Sequence, residues 1–110
     1  MTEDIIAFVN ACIAKGEGEE SGNTKKDRTY YEIIHSVYLR LKDEHRLEDL
    51  SELLDHPNPY VRLWAASYTL QIDPAKAENT LEELSMLRGI AAGFSASITL
   101  EEWREGRLRL

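Results

Sequence analysis

The sequence predicts an all-α fold, with five to six helices joined as hairpins. Strand signals are weak along the whole chain. Apolar residues recur at spacings of three and four, the mark of one buried helical face. Two cap-then-proline pairs, Asn58-Pro59 and Asp73-Pro74, mark places where one helix stops and another starts. A chain of 110 residues suits one domain, 1–110. Such a domain buries roughly 60–70% of its unfolded surface, enough for a cooperative core without disulfides or metal.

The elements follow in order. Thr2 caps a first helix, with Glu3 and Asp4 in its dipole-favoured first turn. Ile5, Ile6, Val9, Cys12 and Ile13 share a face, and Gly16 is expected to stop the helix. Residues 16–24, with three glycines and no apolar side chain, read as a mobile acidic loop. A second helix over about 25–43 carries Tyr30, Tyr31, Ile34, Val37, Tyr38 and Leu41. Its first turns hold Lys25, Lys26 and Arg28, the wrong sign for the dipole. A third, near 47–55, buries Leu47, Leu50, Leu53 and Leu54. A fourth begins at Pro59 under an Asn58 cap and carries Val61, Trp64, Ala65 and Tyr68; a fifth, after Asp73-Pro74, carries Ala77, Leu81, Leu84 and Leu87. Gly89 and Gly93 predict an irregular stretch, and Thr99-Leu100-Glu101-Glu102 has the spacing of a capping box that opens a short last helix ending at Gly106. The parts are then an N-terminal helical pair (1–46), a central hairpin (47–72) and a second, degenerate hairpin (73–106).

Residues 47–54 (LEDLSELL) match residues 81–88 (LEELSMLR) at an offset of 34, with five identities in eight. That offset is the length of a helical-pair repeat, a unit that buries its apolar face by stacking on neighbours. The run from Leu50 through Leu53-Leu54-Asp55-His56-Pro57-Asn58-Pro59-Tyr60-Val61-Arg62, then Ala65-Ala66 and Leu70, resembles a HEAT repeat. The wider stretch 47–108 resembles a bacterial group of short HEAT-like domains of unknown function. It carries the group's features as Val61, Arg62, Trp64 and Ala65, then Asp73-Pro74, then Trp103 with Gly106 and Leu108. The resemblance implies a short right-handed stack of hairpins. It also implies that Arg62 reaches back toward a carboxylate such as Asp55. It carries no activity with it.

Composition narrows the function. The net charge is −7, and the first 55 residues hold thirteen Asp/Glu against seven Lys/Arg. An acidic chain repels phosphates, so a nucleic-acid role is not expected; basic proteins are attracted to it and captured faster. Surplus acid also keeps a small protein dispersed, so the charge has a bland reading beside the functional one. Cys12 is the only cysteine and sits in an apolar run, as a buried thiol does. The N-terminal residues lack the basic start of a signal peptide, and no apolar run approaches a membrane span, so a cytoplasmic chain without a membrane role is expected.

No constellation demands chemistry. His35, His45 and His56 are not at the one-turn spacing of a helix-borne metal site, and no glycine loop has the Lys-Ser/Thr ending of a phosphate cradle. The expectation is a non-enzyme with no cofactor and no metal. Two features point to a protein partner. Glu48, Glu52 and Asp55, with Asp49 beside them, share one side at α-helical spacing; Tyr30, Tyr31 and Tyr38 cover the second helix. Solvated acid and core tyrosines are the plain alternatives. The sharpest expectation is an immunity protein that occludes a basic, nuclease-like bacterial toxin. A self-associating scaffold, such as a homodimer, is the second, and an enzyme of unrecognised type the third.

Overall fold

The computed structural model describes residues 2–110. Its helices are α1 (Glu3–Ser21), α2 (Asp27–Asp43), a 3-10 segment (Leu47–Asp55), α3 (Pro59–Thr69), α4 (Pro74–Ser85) and α5 (Ala91–Arg104), with no strand among the described residues. The chain is all-helical, as the periodicity predicts. Neighbours in sequence pack as pairs: α1 on α2, the 3-10 segment on α3, and α4 on α5. The α3 helix sits at the centre, touching α1, α4, α5 and the 3-10 segment.

That position explains the composition of α3. Val61, Leu63, Ala65, Ala66 and Tyr68 are buried around its circumference. The small Ala65 and Ala66 let neighbouring backbones approach. Its buried hydroxyls are satisfied within the helix, Ser67 donating to the Leu63 carbonyl at 2.7 Å and Thr69 to that of Ala65 at 2.9 Å. The start is as the sequence dictates. Asn58 Oδ1 accepts from the N–H groups of Tyr60 (2.9 Å) and Val61 (3.4 Å), and Pro59 occupies the first turn, where a missing N–H costs nothing. Thr2 and Asp73 cap α1 and α4 in the same way.

Four expectations are corrected. The first helix does not stop at Gly16, and 16–24 is not a mobile loop: α1 continues to Ser21 and closes at Gly22 (φ 79°). Gly16 is there for packing. A Cβ on it would lie 2.4 Å from the Tyr60 ring, so glycine lets α1 and α3 close together.

The second correction is at α5, which starts at Ala91 and runs through Gly93 and Thr99, so Thr99 is no cap. Gly93 again marks close approach, since a Cβ there would fall 2.0 Å from the Leu87 carbonyl oxygen.

Third, residues 47–55 form a 3-10 helix, in which side chains three apart eclipse. Leu47, Leu50 and Leu53 therefore line up as one buried ridge. The matching residues 81–88 instead end an α-helix and enter a turn, so the two copies of the repeat differ in conformation.

Fourth, Arg62 makes no ion pair with Asp55; its Nε is buried and without a hydrogen-bond partner, while Asp55 is exposed. Beside it, His56 Nδ1 accepts from the Asn58 N–H at 3.0 Å.

Candidate functional site: the acidic ridge and the aromatic shelf

The 3-10 geometry rearranges the acidic residues. With three residues per turn, Asp49, Glu52 and Asp55 form one line and Glu48 moves to the next ridge. Glu48, Glu52 and Asp55 are exposed, and Asp49 is half-buried. Arg46 holds Asp49 at 2.8 Å and Glu44 at 3.0 Å. No described Lys, Arg or His forms an ion pair with Glu48, Glu52 or Asp55. Elsewhere several acids are paired within the protein: Asp4 with Arg40, and Glu78 and Glu82 with Arg104. Arg40 in turn holds the Asp4 carboxyl below its ordinary range, chiefly by hydrogen bonding.

The three tyrosines expected to act together are separated. Tyr38 is buried, stacked on Tyr68 with centroids 4.1 Å apart, and its hydroxyl accepts from Gln71 at 3.2 Å. Tyr30 lines a polar cleft with Glu17, Ser21, Asn23, Lys25 and Lys26 at the start of α2. Tyr31 is 39% exposed, stacked on His35 at 5.5 Å and tilted against Trp64 at 5.9 Å. Only Tyr31 remains available to a partner in the sense first expected. It lies toward the opposite end of α2 from Lys42, which shares a cleft with Glu48. The acid and the exposed tyrosine are thus not one continuous patch.

Around Tyr31 the structure builds an aromatic shelf, with Trp64 and Tyr68 of α3 facing Tyr31, His35 and Tyr38 of α2. His35 Nδ1 lies 3.3 Å from the Tyr68 hydroxyl. Burial pushes the Tyr68 hydroxyl far above the ordinary tyrosine range. The Lys15 ammonium sits over the Trp64 ring, 5.6 Å from its centroid, held by Glu19 at 2.8 Å and Asp27 at 3.0 Å. Burial works to lower the Lys15 pKa, but the two carboxylates outweigh it, so the group stays charged. The other signature residues are structural: Val61 and Ala65 are fully buried, and Trp103, half-buried, donates to Glu78 at 3.2 Å.

Sequence reasoning passed over Glu20. Its carboxylate accepts from the Tyr60 hydroxyl and, at 3.0 Å, from the Ala91 N–H. It thus ties the end of α1 to the start of α3 and supplies the N-terminal cap that α5 lacks locally, since Ile90 has no capping side chain. The Tyr60 hydrogen bond is the main cause of the lowered Glu20 pKa; burial, then Glu20, raises Tyr60 to about 12. Beside this tie lies an open cleft of about 500 Å³, walled by Ile13, Pro59, Tyr60 and Ile90. Cys12 is fully buried, which raises its pKa far above the reactive range. No three His, Cys, Asp or Glu side chains converge to hold a metal among the described residues. No described helix is long and apolar enough to cross a membrane.

These features define a small all-helical domain with α3 at its centre. The chain belongs to the DUF2019 family, a domain of unknown function whose sequence profile matches residues 6–103. Its fold is similar to the crystal structure of the protein RPA1889 from Rhodopseudomonas palustris CGA009, with a TM-score of 0.89 and 22% identity over 100% of this chain and 94% of that one. No curated protein matches the chain.

Proposed function

We propose that the chain is a non-catalytic protein-binding domain that presents its acidic 3-10 ridge to a basic partner. In its sharpest form it is an immunity protein, a stoichiometric inhibitor that covers the positive cleft of a nuclease-like toxin. The observation that carries the reading is the unpaired state of Glu48, Glu52 and Asp55 in a protein that pairs many of its other acids internally. Unneutralised acid on a short, well-anchored segment is a ready surface for charge steering, and it needs no rearrangement before binding. The resemblance of residues 47–72 to a HEAT hairpin supports the same role, since stacked hairpins commonly serve as binding surfaces.

The test is capture from native cell lysate with washes at low and high salt. One basic protein recovered at a one-to-one ratio, and released as salt rises, is the expected result. Captured proteins that hold equally at high salt, or that are acidic, contradict the reading.

A further inference from the structure

One cleft combines apolar walls with uncompensated negative charge. It opens between α1, the start of α3 and Ile90, and its volume is about 500 Å³. Ile13, Pro59, Tyr60 and Ile90 supply the apolar walls. Its shape is held from two sides. Gly16 lets the Tyr60 ring press on α1, and Glu20 ties Tyr60 to Ala91. The cleft is therefore preformed, as small-ligand and side-chain sites commonly are. Two carboxylates line it as well, Glu17 and Glu20, three residues apart on α1 and so neighbours on the helix surface. Both are exposed, and neither has an ion-pair partner among the described residues. Lys25 and Lys26 border Glu17 in the adjoining polar cleft, and neither pairs with it. Both hydrogen bonds that Glu20 accepts fall on Oε1, so Oε2 has no donor among the described residues.

We infer that this cleft seats a lysine side chain of the basic partner, with its methylene stem on the apolar walls and its ammonium between Glu17 and Glu20. The inference rests on the reading of the chain as a domain for such a partner. A lysine is the side chain that matches both halves of the site, since its stem is apolar and only its tip is charged. An acidic side chain is repelled by both carboxylates, and a neutral one leaves them without counter-charge. A planar guanidinium is best held by two oxygens of one carboxylate, and Glu20 offers one; a compact ammonium is served equally well by single oxygens from two acids. The cleft also continues the acidic ridge. Asn58, in its wall, follows Asp55 by three residues, so the two Cα atoms are at most about 11 Å apart. One interface of ordinary size covers both.

The probe is n-pentylammonium, a lysine side chain without its backbone, titrated into the full chain at constant ionic strength and followed by amide NMR. n-Pentanol is the uncharged control. The ammonium is expected to shift the amides of Gly16, Glu17, Tyr60 and Ile90, with a Kd on the order of 10 mM. Pentanol binds about threefold more weakly. Glu17 makes no hydrogen bond or ion pair among the described residues, so Glu17→Gln leaves the fold intact. That variant lowers the ammonium affinity about threefold and leaves that of pentanol unchanged. Shifts spread over the acidic surface with none concentrated at the cleft overturn the inference. So does equal binding of the two probes, or an ammonium affinity unmoved by Glu17→Gln. The titration needs no partner, so it can fail while the ridge reading stands. Lysate capture can fail while the cleft still takes the probe, and that result removes a partner's lysine as the source of the cation.

Discussion

Gly16 and Glu20 do more for this fold than their residue types announce. With its bare Cα against the Tyr60 ring, Gly16 sets the distance between α1 and α3. Gly16→Ala gains helix propensity, worth up to about 1 kcal/mol. The new methyl meets a ring already packed, and overpacking of this kind costs about 1–3 kcal/mol. A net loss of stability in urea unfolding is the expected outcome; a gain would show that the ring yields freely. Glu20 and Tyr60 make a pH-dependent tie. The Glu20 pKa is lowered in the folded chain, so its contribution is present above the ordinary carboxylate range and is lost as pH falls through the lowered value. The Tyr60 pKa is raised from 10.0 to about 12, so its contribution is complete below pH 10.0 and is lost between there and about 12. Melting curves across pH should therefore fall at both ends. Tyr60→Phe removes the alkaline step and costs about 1 kcal/mol near neutrality. An alkaline limb unchanged in Tyr60→Phe would place its cause elsewhere.

At the scale of elements, the readable helices are those whose start signals are local. Asn58-Pro59 and Asp73-Pro74 carry their caps in the adjacent residue, so α3 and α4 begin where the sequence places them. The beginning of α5 is illegible for a physical reason: its cap comes from Glu20, 71 residues away in the chain. The end of α1 was obscured because Gly16 reads as a stop signal until Tyr60 is known to press against it. The leucine spacing of residues 47–54 is equally compatible with α and 3-10 geometry, and the choice between them decides which acids align. The tyrosines of α2 were visible, but their fates depend on α3: Tyr38 is buried by Tyr68, and Tyr31 is left half-open beside Trp64. Trp64, which the spacing sets on the apolar face of its helix, is half-buried, with Lys15 above one face. Trp64→Ala should therefore cost about 2–3 kcal/mol, below the range for a fully enclosed ring. A cost under about 1 kcal/mol in equilibrium unfolding would contradict its place between α1, α2 and α3.

For the molecule as a whole, charge is the property most directly tied to function. The excess acid lies in the first half of the chain, and in the fold part of it is set on the 3-10 ridge, where Glu48, Glu52 and Asp55 have no ion-pair partner among the described residues. Electrostatic capture of this kind acts mainly on association, so reversing the ridge slows binding before it loosens the complex. The direct measurement is side-by-side capture from native lysate by the wild-type chain, by Glu52→Lys with Asp55→Lys, and by Glu3→Lys with Glu83→Lys. The last pair makes the same change in net charge on other helices. The account predicts that wild type and the distant pair recover the same basic protein at low salt, while the ridge pair loses about tenfold or more of it. Equal recovery by all three, or equal loss by both reversed proteins, would contradict a binding surface on the ridge.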